Sequence, residues 1–300
     1  MIKFKSKELN LLVDAGKFVD EQSRAFIKTA LGLKKVKVVA KRHNILSGGP
    51  GVGKTYGAVD EANKGKIKYI MIEPGSSDVQ IAIKLACAVY ALKEDEELIV
   101  IIDDADELVF GDYKSLNKWK IALADTDYEQ GIIPTYNHMV SMTGTLNSLE
   151  KQAAVDPSKK QMIKAIKHFI PNDSLGLSIP MDKVRFIILC NLDFEDPKVY
   201  SRSPKMKSAI DPVRDRMKYK RININWEKQW GWAAYVLGET QPFGNYKLSM
   251  AQKVELMQWM YSNWHNLRST SYRTVRELAA AMINEPETYL DEWQNELKGH

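Results

Sequence analysis

The sequence predicts an α/β chain of 300 residues: a three-layer domain on a parallel sheet, then a small all-helical domain. Three observations carry that expectation. Between about residues 41 and 224, short and nearly continuous β-branched runs alternate with helix-like segments, as strands covered on both faces do. Beyond 225 the apolar residues keep helical spacing and no further strand is convincing. Between the first strand and the first helix of the alternating region lies a glycine-rich loop, 48–55.

Residues 1–40 read as a helical arm, with helix-like apolar spacing at 8–19 and 21–33. The core, 41–224, contributes strands at 45–47, 69–73, 98–102, 185–190 and 221–224. Its helices fall at 54–62, 79–92, 113–123, 146–153, 159–168 and 208–215. The Gly, Pro and Ser content of 125–148 and 171–180 marks two long loops within an insertion near 125–180. The C-terminal domain, 225–300, takes helices at 230–237, 250–264, 272–283 and 287–297. Ser271 is the expected N-cap of the third of these. Trp226, Trp230, Trp259, Tyr261 and Trp264 recur there at helical spacing. That spacing suits a packed core, with base stacking as the alternative use.

Apolar residues make up 44% of the chain, enough for a proper core. No apolar run approaches the ~20 residues needed to cross a bilayer. The start, Met-Ile-Lys-Phe-Lys-Ser-Lys, lacks the apolar region of a signal peptide. Cys87 and Cys190 each lie in an apolar stretch and read as reduced thiols. The five His are scattered, without zinc spacing, and read as structural or solvent-facing. A soluble, cytoplasmic protein with no membrane partner is expected. The net charge of +5 is uneven: 151–222 holds sixteen Lys and Arg against eight Asp and Glu, leaving −3 for the remainder. Such a basic segment can draw nucleic acid through counterion release, or can simply be a solvated surface.

The loop carries the chemistry. Gly48, Gly49, Pro50, Gly51, Val52, Gly53, Lys54 and Thr55 fit G-x-x-x-x-G-K-[ST] at every fixed position. Its glycines let successive backbone N–H groups turn toward anionic oxygens. Lys54 reaches the β- and γ-phosphates of a nucleoside triphosphate, and the Thr55 hydroxyl can ligate Mg²⁺. A helix beginning at Lys54 would set its positive dipole end toward the phosphates. These features make ATP and Mg²⁺ the expected ligands.

A second segment narrows the class. The apolar run Leu98-Ile99-Val100-Ile101-Ile102 ends in Asp103-Asp104-Ala105-Asp106-Glu107. A buried strand that delivers Asp103 supplies a second metal-directed group, and Asp104 is then placed to polarise an attacking water. With these residues the chain resembles the AAA+ ATPases, in the style of clamp loaders, helicase loaders and the MoxR-like members. The resemblance spans about residues 40–285. It departs where the family's usual Glu is replaced by Asp104, one methylene shorter, with Glu107 as the backup.

The resemblance implies further residues, in chain order. Asn191, at the end of the run 184–190, falls where the family's sensor 1 meets the γ-phosphate or the lytic water. Arg216, with Arg214 second, falls where an arginine finger enters a neighbouring subunit's site; such a finger is worth roughly 10³–10⁵ in rate. Arg273, with Arg276 one turn on, matches sensor 2. A trans-acting arginine implies a homo-oligomeric ring or spiral, hexameric or pentameric. Residues 74–78 stand where family members grip a client, and they lack an aromatic. This absence and the basic stretch 198–207 favour a DNA client in replication, recombination or packaging, as in phages and other mobile elements. A protein-remodelling role on an acidic protein partner, or a nucleotide-dependent scaffold with slow hydrolysis, are the alternatives.

Overall fold

The computed structural model describes residues 2–33, 42–124, 133–172, 174–196 and 204–298. The chain is α/β and separates into two compact units. One takes in Met1–Ile27, Gly48–Gly57 and Ile222–His300; the other takes in Lys28–Ser47 and Ala58–Arg221. Among the described residues no helix is long and apolar enough to cross a membrane.

The second unit is built on a five-stranded sheet. Its strands are β1 (His43–Gly48), β2 (Tyr69–Ile72), β3 (Leu98–Ile102), β6 (Val184–Cys190) and β7 (Met217–Ile222), in the order β2-β3-β6-β1-β7. The pairs β2/β3, β3/β6 and β6/β1 are parallel. The three central strands are buried along nearly their whole length, whereas the edge strands β2 and β7 are mostly half-buried. This explains the unbroken apolar letters of β3 and β6: a strand covered on both faces has no solvent side to mark with polar residues. Helices α2 (Lys54–Lys64), α3 (Asp78–Tyr90), α4 (Ala105–Leu108) and α5 (Tyr113–Ala122) follow the first three of these strands in turn. Ser77 caps α3 in a reciprocal capping box with Gln80, so the expected client-gripping segment 74–78 has one of its serines committed to the helix start.

The insertion carries more structure than expected. Residues 135–138 and 177–180, read from sequence as loop, form a two-stranded antiparallel sheet, β4 (Thr135–His138) with β5 (Leu177–Pro180). Tyr136, His138, Leu177 and Ile179 point inward. The missed signal is a period-two pattern only four residues long, written partly in polar letters. Between them run α6 (Thr143–Ala153) and α7 (Ser158–His168), close to the expected helices. The next helix, α8 (Pro204–Arg216), starts earlier than expected, and β7 begins at once behind it, displacing the expected strand 221–224 toward the N-terminus. Of the expected basic stretch 198–207, residues 198–203 lie outside the described residues, as do 125–132 of the first expected loop.

The first unit gathers α1 (Lys7–Ala30) with α9 (Trp226–Glu239), α10 (Met250–Ser262), a 3₁₀ turn at Trp264–Asn266, α11 (Tyr272–Asn284) and α12 (Tyr289–Lys298). α1 is one continuous helix where the sequence suggested two. Its Leu9 and Val13 share a core with Trp230, Leu237, Met257, Leu278 and Trp293. Trp230 is fully buried and donates its indole N–H to the Met257 carbonyl at 2.9 Å, the core role that the aromatic spacing suggested. Trp226 and Trp264 stack on each other, 4.0 Å apart and nearly coplanar.

Candidate functional site

The loop between β1 and α2 is shaped by its glycines and by what packs on them. Gly51 and Gly53 have φ of 74° and 75°, the left-handed region that a side chain disfavours. A Cβ on Gly53 would stand 2.3 Å from Trp232 Cζ2, and one on Gly51 would stand 2.4 Å from Ser271 Cβ. Both positions are thus closed to side chains twice over, by backbone conformation and by contact. Lys54 Nζ donates to the carbonyls of Gly48 at 2.6 Å and Gly49 at 3.1 Å, which holds the ammonium against the loop. From the other side Gln229 Nε2 donates to the Pro50 carbonyl at 3.1 Å, and Thr270 Oγ1 donates to Gln229 Oε1 at 3.0 Å. Nothing in the sequence singled out Gln229 or Thr270. They hold the loop from a distant stretch of chain and belong to no motif.

Beside the loop, in the same unit, opens a cleft of about 500 Å³. Gly51 and Gly53 form one part of its lining, Tyr56 and Trp232 contribute aromatic surface, and Arg273 and Arg276 both line it. The expected sensor 2 pair therefore stands at a cleft that the phosphate-type loop itself borders. Arg276 also lies over the Phe243 ring, 5.1 Å from its centroid. Ser271 occupies the N-cap position of α11, but its side chain makes no capping bond. Its oxygen instead accepts from the Ser269 hydroxyl at 2.9 Å, while its Cβ side packs on Gly51.

In the other unit, the ends of β3 and β6 bring acids and an amide together. Asp103 follows β3, and its Oδ1 accepts from the Asp104 N–H at 3.1 Å. Asp104 sits in the left-handed region, with φ of 47°. Asn191 follows β6, the strand that lies between β1 and β3. Its Nδ2 donates to Asp104 Oδ1 at 3.0 Å and to Asp106 Oδ2 at 2.7 Å. The Asp106 carboxylate also accepts the backbone N–H groups of Asn191, at 2.8 Å, and of Leu192, at 3.2 Å. Asp106 was part of the acidic run in the sequence but had no role there; it clamps the end of β6. Glu107, the backup acid, is exposed on α4.

The finger candidates lie at the end of α8. Arg214 Nη1 donates to the Phe194 carbonyl at 3.1 Å, and Arg216 Nη1 to the Lys120 carbonyl at 3.4 Å. The weaker geometry belongs to Arg216. For a metal, Thr55 and Asp103 are the sequence-based ligands; among the described residues no group of three or more His, Cys, Asp or Glu is placed to hold an ion. Cys87 and Cys190 are not joined in a disulfide, and burial raises the pKa of Cys87.

Comparison with known proteins yields no matching family model and no matching curated protein.

Proposed function

We propose that the chain is a Mg²⁺-dependent ATPase with the P-loop NTPase fold of the AAA+ type. The observation that carries this reading is the loop Gly48–Thr55: it fits the phosphate-binding motif in full, two of its glycines are left-handed, and its lysine is held over the loop. The closeness of Trp232 and Ser271 to the glycines supports a cradle kept open to oxygens but closed to side chains. In this reading the loop backbone and Lys54 bind the triphosphate, and Arg273 adds positive charge from the cleft. Thr55 and Asp103 are the residues to hold Mg²⁺, which when bound neutralises charge on the phosphates. Asp104 takes the proton-polarising role toward water, with Asn191 orienting it.

In the proposed assembly, a homo-oligomeric ring or spiral, Arg216 reaches a neighbour's nucleotide and the turnover drives DNA-associated remodelling. The basic balance of 151–222 favours DNA over a protein client. The test is the rate of ATP hydrolysis with Mg²⁺, measured alone, with single-stranded DNA, with duplex DNA, and at raised salt. Stimulation that fades with salt is expected. Hydrolysis indifferent to nucleic acid would move the client to a protein, and failure to bind ATP would end the reading.

A further inference from the structure

Much of the positive charge between residues 151 and 222 is already engaged within the fold. Arg185 meets Glu97, Arg221 meets Asp193, and Lys183 donates to the Glu94 carbonyl at 2.7 Å. Arg214 and Arg216 hold the carbonyls of Phe194 and Lys120. Helix α7 is different. Its 11 residues carry Lys159, Lys160, Lys164, Lys167 and His168 and no acid. Lys160, Lys164 and Lys167 stand at i, i+4 and i+7, so they form one stripe along the helix, and all three are exposed. The opposite side of α7 belongs to the core of the sheet unit, where Ile166 is buried and Met162 and Ile163 pack against it. Lys160 and Lys164 form no ion pair and donate no side-chain hydrogen bond among the described residues. Lys167 pairs with Glu150 at 2.8 Å, but the two side chains are 58% and 48% exposed, so water screens the pair and a phosphate can take the place of Glu150.

A helix face made only to meet water mixes its signs, as where Lys17 faces Glu21 and Lys64 faces Asp60 four residues away. On the outer face of α7 the neighbours at those spacings are lysines, which repel one another. Lys160 also lies in the first turn, where the helix dipole disfavours a cation and no acid offsets it. An anion lying along the outside relieves both penalties.

We propose that the Lys160, Lys164 and Lys167 stripe of α7 is a docking surface for the phosphate backbone of DNA. This rests on the DNA-client reading above and gives that client a place on the chain. The stripe rises about 10 Å along the helix axis, the rise of about three nucleotides of one DNA strand. An anionic membrane would require α7 to lay an apolar face into the lipid, and that face is in the core. A protein partner fits less well, because lysine is depleted from protein interfaces and α7 exposes no large apolar residue as an anchor. A phosphate backbone asks only for cations in a row, with counterion release as the driving force. Contacts of this kind read no bases, so docking is indifferent to sequence.

The test is binding of the full chain to a labelled DNA duplex over a series of salt concentrations. Each lysine–phosphate contact contributes about 0.9 to the slope of log K against log[salt], so Lys160→Gln combined with Lys164→Gln is expected to lower the slope by about 1.8. The same drop is expected on duplexes of unrelated sequence. Lys64→Gln combined with Lys68→Gln removes the same charge from lysines paired with Asp60 and Glu96, and is expected to leave the slope unchanged. Urea unfolding of the stripe variant should show no loss of stability. An unchanged slope, or equal drops from the two pairs, overturns the proposal and leaves DNA as the client. A slope that falls together with stability would make the lysines structural and overturns it too. Stripe-dependent binding of polyglutamate, with duplex binding unaffected, would give the surface to an acidic protein instead. Wild-type chain that binds no duplex even at low salt would bring down the DNA-client reading itself.

Discussion

Replacing Gly53 by alanine isolates what the loop geometry requires. At φ of 75° an L-residue costs about 1–2 kcal/mol relative to glycine. The new Cβ would also stand 2.3 Å from Trp232 Cζ2 and 2.8 Å from Cη2, less than any tolerated carbon–carbon contact, so the indole or the loop must move. The indole is anchored by Asp20, which leaves the loop to give way. Overpacking of this kind adds about 1–3 kcal/mol, for a total of about 2–5 kcal/mol. If about 3 kcal/mol of that falls on the binding-competent loop, ATP affinity drops by roughly 150-fold. Gly49→Ala is the matched control: its φ is not left-handed, and no heavy atom lies within 4 Å of the added Cβ. Titration with a fluorescent ATP analogue, alongside urea unfolding of each variant, reads both costs. Similar ATP affinities for the two alanine variants would refute the reasoning.

Asp104→Asn is expected to bind ATP like the wild type while losing hydrolysis, checked by phosphate release; unchanged release removes Asp104 from the water-polarising role. Arg216→Ala is expected to abolish turnover without weakening nucleotide binding by the same subunit, and recovery of turnover in mixtures with Asp104→Asn chains would mark a finger acting in trans. The imidazole of His43 is held neutral down to about pH 3 by its burial and by Arg42 and Arg185 nearby. Its folded pKa lies below the unfolded value, so its contribution is full above about pH 6.5 and is lost as the pH falls toward 3, costing about 2 kcal/mol by pH 5. Urea unfolding at pH 8 and pH 5 should show that loss, and His43→Gln, which does not titrate, should lessen it.

The sheet was legible because its central strands are buried on both faces and so carry unbroken apolar letters; 98–102 was found to the residue. The loop was legible because its chemistry is written in consecutive positions. What escaped depends on contacts between segments remote in sequence. Gly16 and Gly231 look like ordinary mid-helix glycines until their two helices are seen to touch. Asp20 looks like a solvated helix charge until Trp232 is found above it. The β4/β5 pair escaped for a different reason: strands of four residues give periodicity too little room. Ser271 shows the limit of cap rules, since its position was right while its hydroxyl found a neighbouring serine instead of the helix backbone.

The arrangement around Asn191 bears on the shorter acid at position 104. A side-chain amide has two N–H donors, and here one goes to Asp104 and the other to Asp106. The backbone N–H of Asn191 also goes to Asp106. On the proposed reading, Asn191 must turn an N–H toward a phosphate oxygen or a water, and it can do so only by releasing one of the two acids. Asp106 is the harder to leave, because its carboxylate also accepts the Asn191 and Leu192 backbone N–H groups and stays bonded whatever the side chain does. Asp104 is held by Asn191 through that one contact and pays for its left-handed backbone, so it is the partner that yields. Release also returns to solvent the one Asp104 oxygen, Oδ1, that Asn191 engages. On the proposed reading, one event would then turn the Asn191 amide toward the phosphate and leave Asp104 fully open to water, which would link hydrolysis to a correctly placed γ-phosphate even though the acid is short.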